Sequence, residues 1–155
     1  MSDPTPPLVI GWKERIDFPD WGLRRVKAKI DTGARTSALG AVYYEVLDLP
    51  GEGKVADLTL ALDRRAPEKQ VRLRVPVLGM VVVRNSAGQR ELRPVVETRV
   101  RLGPLTKLIR LTVTNRAHMR FPVLLGRLAL AGDCVVDVSR KYLLRKKRRT
   151  PGTEV

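Results

Sequence analysis

The chain has 155 residues, of which 43% are apolar and 30% charged, with a net charge of +14. This length allows one well-buried core rather than two domains, and the composition excludes a chain that is disordered throughout. Aromatics are scarce at 5%, and the apolar residues are mostly Val and Leu, which favours sheet over a helix bundle.

The first seven residues contain three prolines and predict a flexible arm, 1–7. Leu8-Val9-Ile10-Gly11-Trp12 reads as a first strand, and Pro19-Asp20-Trp21-Gly22 as a turn. In Arg25-Val26-Lys27-Ala28-Lys29-Ile30 the apolar side chains at 26, 28 and 30 fall on one strand face. Ser37 to Leu47 predicts another strand, and Leu49-Pro50-Gly51-Glu52-Gly53 a turn. Strands are expected at 54–62 and 71–83, joined by a charged loop from Asp63 to Gln70. After a hairpin-type break at Asn85-Ser86-Ala87-Gly88, Val96, Thr98, Val100 and Leu102 alternate with Glu97, Arg99 and Arg101. Ile109, Leu111 and Val113 repeat that alternation beyond Gly103-Pro104. The one helical candidate is Arg127 to Ala131, followed by a short strand at 134–138. Many short strands with closely spaced turns predict an all-β closed or sandwiched domain over 8–142. The segment 143–155 has no apolar face after Leu144 and reads as a disordered basic tail.

Residues 140–155 carry seven of the basic residues and one acidic residue, so the remainder still has a net +8. Such a body suits either a nucleic-acid or ribosome surface or an anionic substrate. The single Cys134 cannot form an internal disulfide, no apolar run reaches membrane-spanning length, and Met1 to Pro7 lacks signal-peptide order. A cytoplasmic location without membrane contact is expected. With one cysteine and one histidine, His118, no metal site is expected. No Gly-rich phosphate cradle is present, so no cofactor is expected either.

Asp31-Thr32-Gly33-Ala34 stands at the end of the 25–30 strand. It delivers a carboxylate to a tight turn, where glycine admits close backbone approach and the threonine hydroxyl can lock the loop. Aspartic proteolysis needs two carboxylates sharing one proton, one acting as base on water and the other as acid. With one Asp-Thr-Gly in the chain, a symmetric homodimer is inferred, each subunit supplying Asp31, Thr32 and Gly33. An ordinary Asp-Thr-Gly turn is the plainer alternative.

Val123-Leu124-Leu125-Gly126-Arg127 resembles the hydrophobic-hydrophobic-Gly-Arg signature before the last helix of retropepsins, the half-size aspartic proteases of retroviruses. A closer likeness covers 8–142. Lys27 to Ala34, Thr36-Ser37-Ala38-Leu39, Val95-Val96-Glu97-Thr98, Asn115-Arg116 through Met119, Pro122, Leu124 to Arg127 and Val136-Asp137-Val138-Ser139 occur in order. Together they resemble the bacterial family labelled ATP-dependent zinc proteases, to which RimB-like proteins belong and whose genes accompany RimK-type glutamate ligases. The resemblance implies a retropepsin-like closed barrel of short strands with one short C-terminal helix, in which Leu124, Leu125, Gly126 and Arg127 support the active loop. Family members commonly carry histidine where this chain has Gly40.

The RimK association implies glutamate-rich tails as substrate, and guanidinium groups hold carboxylates by paired hydrogen bonds. Ala34, Arg35, Lys29, Arg84 and Arg116 are therefore the expected substrate-binding residues, with solvated surface charge as the alternative for each cation. Glu97 and Asp137 read as ion-pair partners, and Cys134 as an inert thiol. The expected partners are an acidic peptide or glutamate-tailed protein, a second copy of the chain, and ribosome or RNA through the basic tail. The competing readings are a non-catalytic nucleic-acid- or ribosome-binding β-barrel, and a dead scaffold that binds acidic tails.

Overall fold

The computed structural model describes residues 5–63, 65–85, 87–115 and 120–144. The chain opens with β1 (Leu8–Gly11) and β2 (Lys13–Phe18), then a 3-10 turn (Pro19–Trp21) and β3 (Leu23–Ile30). It continues through β4 (Ser37–Ala41), β5 (Tyr43–Leu49), β6 (Gly53–Leu60), β7 (Val71–Pro76) and β8 (Gly79–Arg84). The long strands β9 (Arg90–Leu102) and β10 (Leu105–Asn115) follow, then β11 (Val123–Leu125), α1 (Arg127–Leu130) and β12 (Cys134–Asp137). Six strands in the order β10-β4-β11-β3-β2-β9 close on themselves through the β9–β10 hairpin. The fold is all-β, as the alternation predicts. β8 hangs on the outer edge of β9, β5-β6-β7 form a separate sheet, and β1 pairs with β12 in parallel.

The barrel interior is filled from alternate positions: Val26, Ala28 and Ile30 of β3, Val96, Val100 and Leu102 of β9, and Leu111 and Val113 of β10. Each side chain leaves water because the pleat sends successive residues to opposite faces. Two expected strands are in fact broken. The run Ser37–Leu47 divides at Val42, whose N–H donates to the Thr59 carbonyl at 2.8 Å as the chain leaves the barrel for the second sheet. The run 71–83 divides at Val77 and Leu78, whose N–H groups go to Lys54 on one sheet and Val95 on the other. Apolar alternation continues through both crossings, so periodicity alone does not register them. Of the expected termini, residues 1–4 and 145–155 lie outside the described residues.

Sequence periodicity misses β2, because Glu14 occupies an inward position. Its side chain is fully buried and accepts three backbone N–H groups: Gly11 at 2.6 Å, Leu143 at 2.9 Å and Leu144 at 3.0 Å. Gly11 is glycine because a Cβ there would stand 2.5 Å from the Arg140 carbonyl oxygen. The C-terminal segment thus lies directly on β1 and β2, with Tyr142 N–H donating to Lys13 at 2.9 Å. Glu14→Gln leaves one side-chain oxygen to serve three donors and should destabilise the fold by about 1–3 kcal/mol. Urea unfolding with an unchanged midpoint would rule this anchoring out.

Asp20 of the 3-10 turn is tied to β9 by Arg99, whose Nε lies 3.0 Å from both carboxylate oxygens. This guanidinium holds the Asp20 carboxyl below its ordinary 3.8. A carboxyl with a depressed folded-state value stabilises fully above its unfolded value and loses that contribution as pH falls through the folded one. The stability difference between the parent and Asp20→Asn should be constant at neutral pH and shrink toward zero as pH drops below 3.8. Denaturant midpoints across the acid range check this; a difference that persists in acid would exclude the ion pair as its source.

Candidate active site

β3 delivers Asp31 to the mouth of a loop that runs to Ser37, and β11 passes between β3 and β4, parallel to the first and antiparallel to the second. The Asp31 N–H donates to the Leu125 carbonyl at 2.8 Å. Within the loop, Gly33 N–H reaches Asp31 Oδ1 at 3.1 Å and Ala34 N–H reaches the Asp31 carbonyl at 3.1 Å. The far side of the loop is held by the segment after β11. Arg127 N–H donates to Ala34 at 2.8 Å, Leu128 N–H to Arg35 at 3.0 Å, and Arg127 Nη1 to the Thr32 carbonyl at 3.0 Å. Gly126 N–H donates to Ser37 Oγ at 3.1 Å, and a Cβ on Gly126 would lie 2.5 Å from the Thr36 carbonyl oxygen. Only glycine lets the two segments cross this closely.

This arrangement uses the loop's backbone carbonyls and leaves Asp31 half-buried with Thr32 and Gly33 exposed. Among the described residues no ion pair neutralises Asp31. Leu125 and Gly126 are buried, Leu124 half-buried and Arg127 exposed.

A groove of about 700 Å³ begins at the loop's second half. Its walls are Arg35, Thr36 and Ser37, the β8 residues Val81 to Arg84, Val95, the β10 residues Leu108 to Thr112, and Leu128 and Ala129. The groove therefore brings together Arg35 and Arg84 of the expected cations. Lys29 is not on its wall; it is exposed on β3, opposite Lys13 and Leu124 in register. Arg116 and His118 lie outside the described residues. Asp31 borders the groove through its loop rather than lining it.

The apolar β8 contribution is new: Val81 and Val82 are 38% and 62% exposed on a hairpin whose partner strand is β9. Its signal is the unbroken run Met80-Val81-Val82-Val83, which has no polar alternation. Below it, buried Arg93 pairs with Glu91 at 2.9 Å, and Thr114 Oγ1 donates to Glu91 Oε1 at 3.1 Å. Glu97 does pair with Arg110, at 3.2 Å, and Asp137 with Arg140, at 3.7 Å. Burial pushes the Cys134 thiol up, which disfavours its thiolate. Among the described residues no group of three or more His, Cys, Asp or Glu could hold a metal ion. Gly40 is buried in β4, its N–H on the Pro122 carbonyl at 2.8 Å.

Residues 9–147 match the family described as "Retropepsin-like aspartic endopeptidase RimB". The chain belongs to the RimB-like family. A protein of unknown function from Legionella pneumophila shares the fold of this RimB-like chain with a TM-score of 0.72 at 25% identity, covering 89% of this chain and 98% of the other. A protein from Desulfotalea psychrophila named "Probable alpha-L-glutamate ligase" is 35% identical over 139 residues, 88% of this chain and 29% of the relative. One of the same name from Shewanella pealeana is 33% identical over 147 residues, 95% of this chain and 31% of the relative. The RimB-like chain spans about three tenths of the length of these curated relatives.

Gly126→Ala should force the β11 turn away from the loop and destabilise the protein by about 1–3 kcal/mol, as overpacking does. A denaturation midpoint equal to the parent's would show that the crossing has slack.

Proposed function

We propose that the protein is an aspartic endopeptidase that works as a homodimer in the cytoplasm and hydrolyses peptide bonds in glutamate-rich peptides or tails. The observation that carries this reading is the Asp31 loop. The 125–128 segment holds the Asp31 amide and the carbonyls of Thr32, Ala34 and Arg35, while Asp31 is half-buried, Thr32 is exposed and no ion pair among the described residues takes the Asp31 carboxylate. One chain supplies one such carboxylate, half of what the chemistry needs. Two copies meeting across a two-fold axis complete the pair, and Thr32 of each loop is free to tie the two together. Val9 and Val135, directly paired on β1 and β12 and 49% and 47% exposed, offer apolar surface for a second copy to cover.

In this mechanism the ionised Asp31 takes a proton from a water, whose oxygen attacks the scissile carbonyl carbon. The protonated Asp31 of the partner subunit gives its proton to the carbonyl oxygen, forming a neutral tetrahedral diol. In breakdown the first Asp31 gives the proton it took to the leaving nitrogen while the partner subunit's Asp31 takes one from a diol hydroxyl, so the carbon–nitrogen bond breaks to acid and amine and the shared proton is restored. The groove supports the substrate class: its apolar wall of Val81 to Val83 suits an extended backbone, and Arg35 and Arg84 suit side-chain carboxylates. Relatives that bear the name of a glutamate ligase point to the same chemistry from the bond-forming side. A second reading, a nucleic-acid- or ribosome-binding barrel, is favoured by the +14 charge alone.

Asp31→Asn should lower cleavage of α-linked oligoglutamate by at least about a thousandfold, with the dimer retained. Mass spectrometry of the peptide products and sedimentation of the variant check both. Undiminished cleavage by the variant would overturn the aspartic mechanism.

A further inference from the structure

The outward residues of β2 and β3 form two facing columns of cations. Lys13 stands directly opposite Lys29, and Arg15 directly opposite Lys27. Like charges at directly opposed positions of a sheet destabilise it. Among the described residues none of these four is in an ion pair. Aromatic rings hold two of them in place instead. Lys13 Nζ lies 4.8 Å from the Trp12 ring centre and 5.2 Å from that of Tyr142, and the Arg15 guanidinium lies 5.2 Å from Tyr142.

Toward the other end of the same wall acids are present among the cations: Asp17 stands opposite Arg101 and accepts the Arg25 N–H at 2.9 Å, and Asp20 pairs with Arg99. The stretch in which cation faces cation is therefore the one nearest Asp31, two residues beyond Lys29 and about 7 Å along the chain.

We propose that the Lys13–Lys29 and Arg15–Lys27 pairs form a carboxylate-binding track that holds an extended acidic peptide on the barrel wall and leads it to Asp31. The inference rests on the acidic-peptide reading of the active site and names where the acidic side chains are selected. Same-side residues of an extended peptide repeat about every 6.6–6.8 Å, the period that separates successive cation pairs along the strands. Each arriving carboxylate meets two cations and relieves their mutual repulsion, so binding is favoured by more than simple attraction. A nucleic-acid strand would use the same charges, but Trp12 and Tyr142 already pack against the track cations rather than standing open for base stacking. The charge gradient toward Asp31 also has no role in that case.

The test is binding of fluorescein-labelled decaglutamate, read by anisotropy in the full chain carrying Asp31→Asn, at low and at physiological salt. Lys13→Ser/Arg15→Ser should weaken binding about tenfold and reduce its salt dependence. Lys54→Ser/Arg72→Ser removes the same charge from exposed sites on the β5-β6-β7 sheet and should leave binding near the parent's. The exchange Lys13→Arg/Arg15→Lys should retain binding, which separates lost charge from lost fold. With Asp31 intact, the track variant should raise KM for oligoglutamate and leave kcat in place. Equal weakening by the two Ser variants would overturn the track in favour of the protein's overall field, and a parent that does not bind decaglutamate would overturn it outright. A ten-nucleotide RNA that binds the parent more tightly than decaglutamate, and loses more on the track substitutions, would reassign the surface to nucleic acid. Track-dependent binding without any cleavage would support the track while overturning the peptidase reading.

Discussion

One backbone crossing governs the Asp31 loop: the segment 125–128 runs so close beneath residues 31–37 that position 126 has no room for a side chain. Buried or crowded backbone polar groups must find partners, and a loop at the end of a strand has lost the ladder that would supply them. Beyond the two amides that the loop bonds to Asp31 itself, the partners come from the 125–128 segment. The Leu125 carbonyl takes the Asp31 amide, while the first two amides of α1 and the Arg127 side chain take the carbonyls of Ala34, Arg35 and Thr32. The four-residue helix matters as a supply of correctly aimed N–H groups rather than as a helix. With these carbonyls taken and Asp31 Oδ1 on the Gly33 amide, no ion pair among the described residues engages the Asp31 carboxylate, and Thr32 is exposed.

The second organising contact is the buried Glu14 carboxylate, and its effects extend to the surface. Lys13-Glu14-Arg15 reads in sequence as a nearly balanced run of charge. The pleat removes that balance: Glu14 turns inward and is used on three backbone amides, while Lys13 and Arg15 turn outward with no acid between them. The contact that pins residues 143 and 144 thereby also leaves Lys13 and Arg15 without an acid beside them on the outer face of β2 until Asp17. Tyr142, carried in by the same segment, then lies against both cations.

This explains which parts of the molecule could be read in advance. Asp31 to Ala34 and Leu124 to Arg127 are legible because each is a short local pattern, and their meeting is what the family resemblance implies. The alternation of β3, β9 and β10 is legible because one face of each fills the barrel. β2 is not, since an inward glutamate breaks the apolar period, and its value depends on amides 129 and 130 residues away. The sheet changes at Val42 and at Val77–Leu78 are invisible for the opposite reason, that the apolar period runs on while the hydrogen-bonding partner changes. Among the expected cations, Arg35 next to the loop and Arg84 at the hairpin both line the groove. Lys29 belongs to a different wall, and the residue it faces there, Lys13, becomes visible only through strand register.

Charge acts on this protein over two ranges. The whole chain's +14 reaches furthest at low salt, whereas at physiological ionic strength exposed charges are screened beyond about 8 Å. The overall field can gather an acidic chain but cannot place its side chains. Placement falls to cations within one screening length, and Lys29 stands about 7 Å along the chain from Asp31. On the proposed reading, an acidic peptide also brings a difficulty: its carboxylates repel an ionised Asp31 acting on water. On that reading, the cations paired across β2 and β3 would offset the repulsion next to the loop without an ion pair to Asp31 itself, which would occupy the group that takes the proton. The facing like-charge pairs are unfavourable for an empty barrel, and on the track proposal an acidic chain relieves them, so the feature that weakens the wall is the one that would select its ligand.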